Sequence, residues 1–145
     1  MKDAATTVME RCDLLANISE EPGLIHRPYG SQAMHEANNI VAGWMRMAGM
    51  STRRDQIGNL IGRYEGEGDG TLIFGSHLDT VRDAGRYDSI LGVMATLAAS
   101  SVCTNGTNVC RSRSRWLASP TRKAHASVRP NSAAPCTRAS SIRNS

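Results

Sequence analysis

All 13 acidic residues of this 145-residue chain lie at or before Asp88. That boundary limits how much of the chain can be one ordinary folded unit. Residues 1–102 hold nine of the 17 Lys and Arg against those 13 acids, a net charge of −4. Residues 103–145 hold the other eight and no acid, a net charge of +8. The overall +4 therefore averages two unlike populations. The basic stretch is rich in Ser, Ala, Thr and Pro, and Trp116 is its only aromatic residue. It lacks helical or strand periodicity, and it has few large apolar groups whose burial could offset chain entropy. It reads as a disordered basic tail, with Arg111, Arg113 and Arg115 as open trypsin sites. A nucleic-acid arm is the competing class. The tail offers no row of aromatic platforms for bases, so no nucleic-acid partner is expected. A DNA-binding assay with a steep salt dependence would mark that alternative.

The acidic part reads as an α/β unit in the order helix, helix, strand, strand, helix. Val8, Cys12, Leu15 and Ile18 recur at helical spacing over residues 4–18, and Glu21-Pro22-Gly23 ends the run. Ser31 suits the N-cap of a second helix with an apolar stripe of Met34, Ala37, Val41, Trp44, Met45 and Ala48. Gly49 stands where that helix closes. Residues 57–64 read as a strand, and residues 65–70 as a Gly-rich turn. Residues 71–75 (TLIFG) form a short continuous apolar run, the pattern of a strand buried on both faces. Residues 90–99 are apolar and read as a helix starting near Asp88.

No apolar run approaches a membrane span, and the N-terminus has no secretory h-region. No membrane partner is expected, and the cytoplasm is the expected location. Cys12, Cys103, Cys110 and Cys136 form no CxxC pair, so reduced thiols are expected.

The segment that carries chemistry is GSHLDTVRDAGRYDSILGV, residues 75–93. A His and two carboxylates fall where a buried strand gives way to a helix, and ligands in α/β sheets sit at the carboxyl ends of strands. His77 can offer a neutral imidazole nitrogen to a metal. Asp79 is placed to orient that imidazole. Asp88 comes from the following turn and could bridge two metals. A helix-capping Asp88 with a merely hydrogen-bonded His77 fits the same residues.

The same string resembles the first metal-site motif of the allantoate amidohydrolase and N-carbamoyl-L-amino-acid hydrolase family, a branch of the aminopeptidase-like di-metal hydrolases. Residues 55–63, DQIGNLIGR, resemble the family's D-x-x-G-N-L-x-G-R stretch. The resemblance covers roughly residues 7–100. It implies a partial aminopeptidase-like catalytic domain over residues 1–102, with the basic tail of residues 103–145 outside it. It implies His77 on one metal, Asp88 bridging two divalent metals (zinc or manganese), and Asp79 as the supporting catalytic residue. It implies metal-dependent hydrolysis of a linear ureido or amide C–N bond in a small-molecule substrate. Allantoate is the first expectation and an N-carbamoyl amino acid the second. It also implies homodimerisation through a domain not found in this sequence. Ser89 departs from the family's usual Gly.

The family's remaining groups are a Glu-Glu pair some thirty-odd residues after the bridging Asp, and two later His. No Glu or Asp follows Asp88, and the only later His is His125. Weak or partial metal binding and no catalysis are therefore expected of this chain. The genetic code suggests a reason. Codons built from the last base of each residue's codon and the first two bases of the next can read RLPFAIEVVGFADEEGTRFG over residues 109–128. That string is absent from the chain, yet it resembles the family's next strand and its Glu-Glu pair, which would fall over Arg122 and Lys123. A one-base change of frame between about Ala99 and Val109 is the expectation.

Overall fold

The computed structural model describes residues 3–65, 71–105 and 113–119. Helix α1 spans Ala4–Ala16 and opens on Asp3, whose side chain accepts from the Thr6 amide at 2.7 Å. Helix α2 spans Gln32–Met47 and is capped by Ser31, which accepts from the Met34 amide at 3.1 Å. Glu20 reaches over to accept from the Ala33 amide, so a second free donor of that first turn is satisfied by a distant loop. At the far end Gly49 takes a φ of 83°, and the Met50 amide returns to the Met45 carbonyl. This is the left-handed closure that glycine permits without a steric penalty.

The strands are β1 (Ser51–Arg54), β2 (Leu60–Tyr64), β3 (Thr71–His77) and β4 (Arg113–Ser119), with helix α3 (Ile90–Asn105) between β3 and β4. They form one sheet in the order β1-β2-β4-β3. β1 and β4 run antiparallel to β2, and β4 runs parallel to β3. A strand, a helix and a neighbouring parallel strand make a βαβ crossover, the unit that creates a site at the strands' carboxyl ends.

The α/β class agrees with the sequence reading, and two strands add to it. β1 is four residues, Ser-Thr-Arg-Arg, mostly exposed and without apolar alternation, so no pattern marks it. β4 lies within residues 103–145, for which the sequence predicts no element. Its place between β2 and β3 comes from backbone pairing on both sides, which composition does not reveal. Residues 106–112 and 120–145 of the expected tail lie outside the described residues.

The strand expected over residues 57–64 begins only at Leu60. Before it, Asp55 folds the chain into a turn. One carboxylate oxygen accepts from the Ile57 and Asn59 amides, and the other accepts from the Asn59 side chain at 2.6 Å. A turn closed by an Asp side chain competes directly with strand pairing.

The core joins α1, α2 and α3. Cys12, Leu15, Ala37, Val41, Met45, Val93, Met94 and Leu97 are fully buried, together with Leu60 and Leu78. Trp44 packs half-buried against this cluster, with the Arg11 guanidinium 4.9 Å from its ring centre. The strand of residues 71–75 is not buried on both faces. Leu72 is 46% exposed and Ile73 44%, and only Phe74 packs against the core. β3 is the last strand of the sheet, so it has a strand partner on one side only among the described residues. No helix among the described residues is long and apolar enough to cross a membrane.

Candidate metal centre

His77 is the last residue of β3, at the carboxyl end of a parallel pair of strands. Leu78 then turns fully into the core and anchors the strand's exit. The loop behind it is tied down by Arg27. The Arg27 side chain is 1% exposed and donates to the carbonyls of Leu78, Leu15 and Ile18 at 2.7–2.8 Å. Its amide donates to the Thr80 hydroxyl, and the Thr80 amide donates back to the Arg27 carbonyl. Burial lowers the Arg27 pKa from its ordinary value, and the nearby Asp79 charge opposes that shift. Farther along, Arg82 pairs with Glu21 and Arg86 with Asp13, so the loop is held to α1 and its following turn from several sides.

The His77 ring is fixed at both nitrogens. Nδ1 lies 3.0 Å from the Asp79 carbonyl oxygen and 3.3 Å from the Asp79 carboxylate. Two acceptors on that side place the ring proton on Nδ1 and leave the Nε2 lone pair facing the other way. A neutral imidazole so oriented is the form that ligates metals. What Nε2 meets is the hydroxyl of Ser89, in close hydrogen-bonding contact. The same hydroxyl lies 3.4 Å from the Asp88 carboxylate. One oxygen thus neighbours both predicted metal ligands.

The chain enters α3 through a tight turn. The Asp88 amide donates to the Gly85 carbonyl, and the Ile90 amide to the Asp88 carbonyl at 2.7 Å. Ser89 sits at a φ of 63°, in the left-handed region that favours glycine. Its carbonyl accepts from the Ser76 hydroxyl at 3.0 Å, which ties the turn to β3.

His77 is thus flanked by Asp79 at Nδ1 and by Ser89 at Nε2, with Asp88 beside the Ser89 hydroxyl. Asp79 touches the imidazole at Nδ1 through both its carbonyl and its carboxylate. The donor set suits a divalent cation: a neutral imidazole with a free lone pair, held by a carboxylate behind it, beside a second carboxylate. It supplies part of a shell, because no group of three or more His, Cys, Asp or Glu able to hold a metal exists among the described residues. Arg27 escapes sequence reasoning, since a lone Arg in a loop carries no pattern that tells a buried brace from a solvated charge.

No protein-family model matches the sequence. The allantoate deiminase of Arabidopsis thaliana is 39% identical over 90 residues, covering 61% of this chain and 17% of that protein. The N-carbamoyl-L-amino-acid amidohydrolase of Pseudomonas sp. (strain NS671) is 45% identical over 67 residues, covering 45% of this chain and 16% of that protein. A hydantoinase/carbamoylase family amidase from Burkholderia ambifaria superposes with a TM-score of 0.73 at 28% identity, over 80% of this chain and 29% of that one. Over part of its length the chain is similar to allantoate deiminases and carbamoylases. It spans 17–18% of the length of the curated deiminases that it matches. Its mixed helix and strand architecture is the carbamoylase fold over a partial region.

Proposed function

We propose that this chain is part of a metal-dependent hydrolase of linear C–N bonds. In this reading His77 is a terminal ligand of one divalent cation, zinc or manganese. Asp88 is the carboxylate shared with a second, and Asp79 keeps the His77 proton on Nδ1. The observation that carries the reading is the imidazole itself: at the carboxyl end of β3 its protonated nitrogen is held by Asp79 and its lone pair is turned toward Asp88 and Ser89. A bound cation there supplies Lewis-acid polarisation of a carbonyl oxygen and a lowered pKa for bound water. The chain's own contribution is the orientation of the ring and the rigid loop behind it. Allantoate is the proposed substrate and an N-carbamoyl-L-amino acid the second reading, since relatives of both names match with similar identity.

Among the described residues the site has too few ligands to be tight, because a catalytic zinc takes three protein ligands and a water. We expect weak zinc binding that dialysis removes, and its loss in His77→Ala and Asp88→Ala. Competition against a chromophoric chelator measures it. A stoichiometric two-metal centre that survives dialysis contradicts this account. So does zinc binding indifferent to both substitutions, which would leave His77 and Asp88 as a hydrogen-bonded core histidine and a helix cap.

The division into a catalytic part over residues 1–102 and a foreign stretch over residues 103–145 belongs to the same proposal. β4 occupies the slot between β2 and β3, with the sequence Arg-Ser-Arg-Trp-Leu-Ala-Ser. A strand paired on both sides in an α/β sheet ordinarily carries a near-continuous apolar run. Shifted by one base, the codons over residues 113–119 can read Ala-Ile-Glu-Val-Val-Gly-Phe, which meets that demand far better. The shifted reading also restores two adjacent Glu over Arg122 and Lys123, one of which could serve as the general base that hydrolysis needs.

A further inference from the structure

The Ser89 hydroxyl occupies the one direction from which His77 can ligate a cation. Nδ1 is committed to Asp79, so Nε2 is the nitrogen left for a metal, and Ser89 Oγ is bonded to it. The hydroxyl has one proton. With Nδ1 protonated, that proton has two acceptors, the Asp88 carboxylate at 3.4 Å and the much closer Nε2 lone pair, and the closer one, the pair of electrons a metal would use, takes it. The backbone that carries this contact is itself held in place. Ser89 is held from its backbone by the Ser76 hydroxyl and by the Val93 amide, both of which donate to its carbonyl. From a backbone φ of 63° its side chain reaches His77 at the end of β3.

We propose that Ser89 is a built-in cap on the metal-binding nitrogen of His77, so that a divalent cation enters only by displacing the hydroxyl. This rests on the assignment of His77 as a ligand. Closed, the cap satisfies the imidazole in the metal-free chain. Opening it requires breaking the Ser89–His77 hydrogen bond before any metal–nitrogen bond forms, which lowers the apparent affinity by the strength of that bond. A glycine here removes the hydroxyl and is also at ease at this φ. An alanine removes the hydroxyl alone and keeps a Cβ in the left-handed region.

Two variants of the full 145-residue chain, Ser89→Ala and Ser89→Gly, test the cap with zinc alone as the probe. Chelator competition should show both binding zinc about three- to tenfold more tightly than the parent, the equivalent of one net hydrogen bond removed from the metal-free state. Ser89→Gly should in addition raise the metal-free melting temperature, and Ser89→Ala should not. A metal-independent readout accompanies them: long-range proton–nitrogen NMR of the His77 ring, assigned by its loss in His77→Ala. The parent should show Nδ1 protonated and Nε2 accepting a hydrogen bond, and both Ser89 variants should shift Nε2 toward a free, unbonded nitrogen. Unchanged zinc affinity in both variants, or an unmoved Nε2 signal, overturns the cap while leaving His77 as a ligand. Weaker binding in both overturns it differently, by making the Ser89 hydroxyl itself a ligand. Zinc affinity unaltered by His77→Ala is the separate result that removes the metal-site reading, and the cap with it.

Discussion

Arg27 shows how much one side chain can hold. It links the carbonyls of Leu15 and Ile18 behind α1 to the Leu78 carbonyl beyond β3, all from a buried position. Arg27→Met keeps the bulk but leaves three carbonyls without their donor, so we expect a loss of about 3 kcal/mol, as for other buried polar groups stripped of partners. Urea unfolding checks this, and a loss below about 1 kcal/mol would show that water replaces the guanidinium there. Asp55 offers a pH-dependent case. Its carboxyl is held below the ordinary value, first by the Asn59 side chain and then by the Asn59 and Ile57 amides. A depressed folded pKa means stability that is present above the unfolded value of about 3.9 and is lost as pH falls toward the folded one. Asp55→Asn should therefore melt lower than the parent at pH 7, with the gap closing as the pH is taken well below that of an ordinary aspartate. A gap that persists in acid would assign the effect to shape rather than charge.

At the scale of elements, legibility followed the source of each element's stability. α1 and α2 were readable because their signals are local: Ser31 at the start of α2, and Val8, Cys12, Leu15, Met34, Val41 and Met45 along the buried faces, whereas the Asp3 cap of α1 emerges only in the structure. β1 was not readable because its four mostly exposed residues carry no apolar alternation, and β4 because what makes it a strand is a pair of partners far away in sequence. β3 was legible in position and misjudged in burial. An apolar run reports strand preference, whereas exposure depends on whether a neighbour covers it, and at the sheet's end Leu72 and Ile73 remain open. The clustering of His77 with Asp79 was legible from their spacing. The insertion of Ser89 between His77 and Asp88 was not, because it depends on one backbone angle. Exposed apolar residues on an end strand invite edge-to-edge association. Replacing Leu72 and Ile73 together by Lys should lower light scattering at constant protein concentration. Undiminished scattering would place the association elsewhere.

At the scale of the molecule, the 145 residues match part of a larger architecture seen in their relatives, at 17–18% of the length of the curated deiminases. The sheet, the crossover through α3 and the oriented imidazole are in place. A general base and further metal ligands are not among the acidic and His residues after Asp88, since that stretch holds no acid and only His125. In the proposed function several positioned groups would be missing together, and removing even one lowers rates by orders of magnitude. The central claim is that residues 1–102 are catalytic machinery separated from its remaining groups by a one-base change of frame. It is tested most directly by ammonia release, with manganese added, from allantoate and from an N-carbamoyl-L-amino acid. The assay compares the 145-residue chain with the product of the gene restored by one base between the codons of Ala99 and Val109. The account predicts no turnover by the former, and metal-dependent turnover by the latter that His77→Ala or Asp88→Ala abolishes. Turnover by the 145-residue chain, or none by the restored product on either substrate, would contradict it.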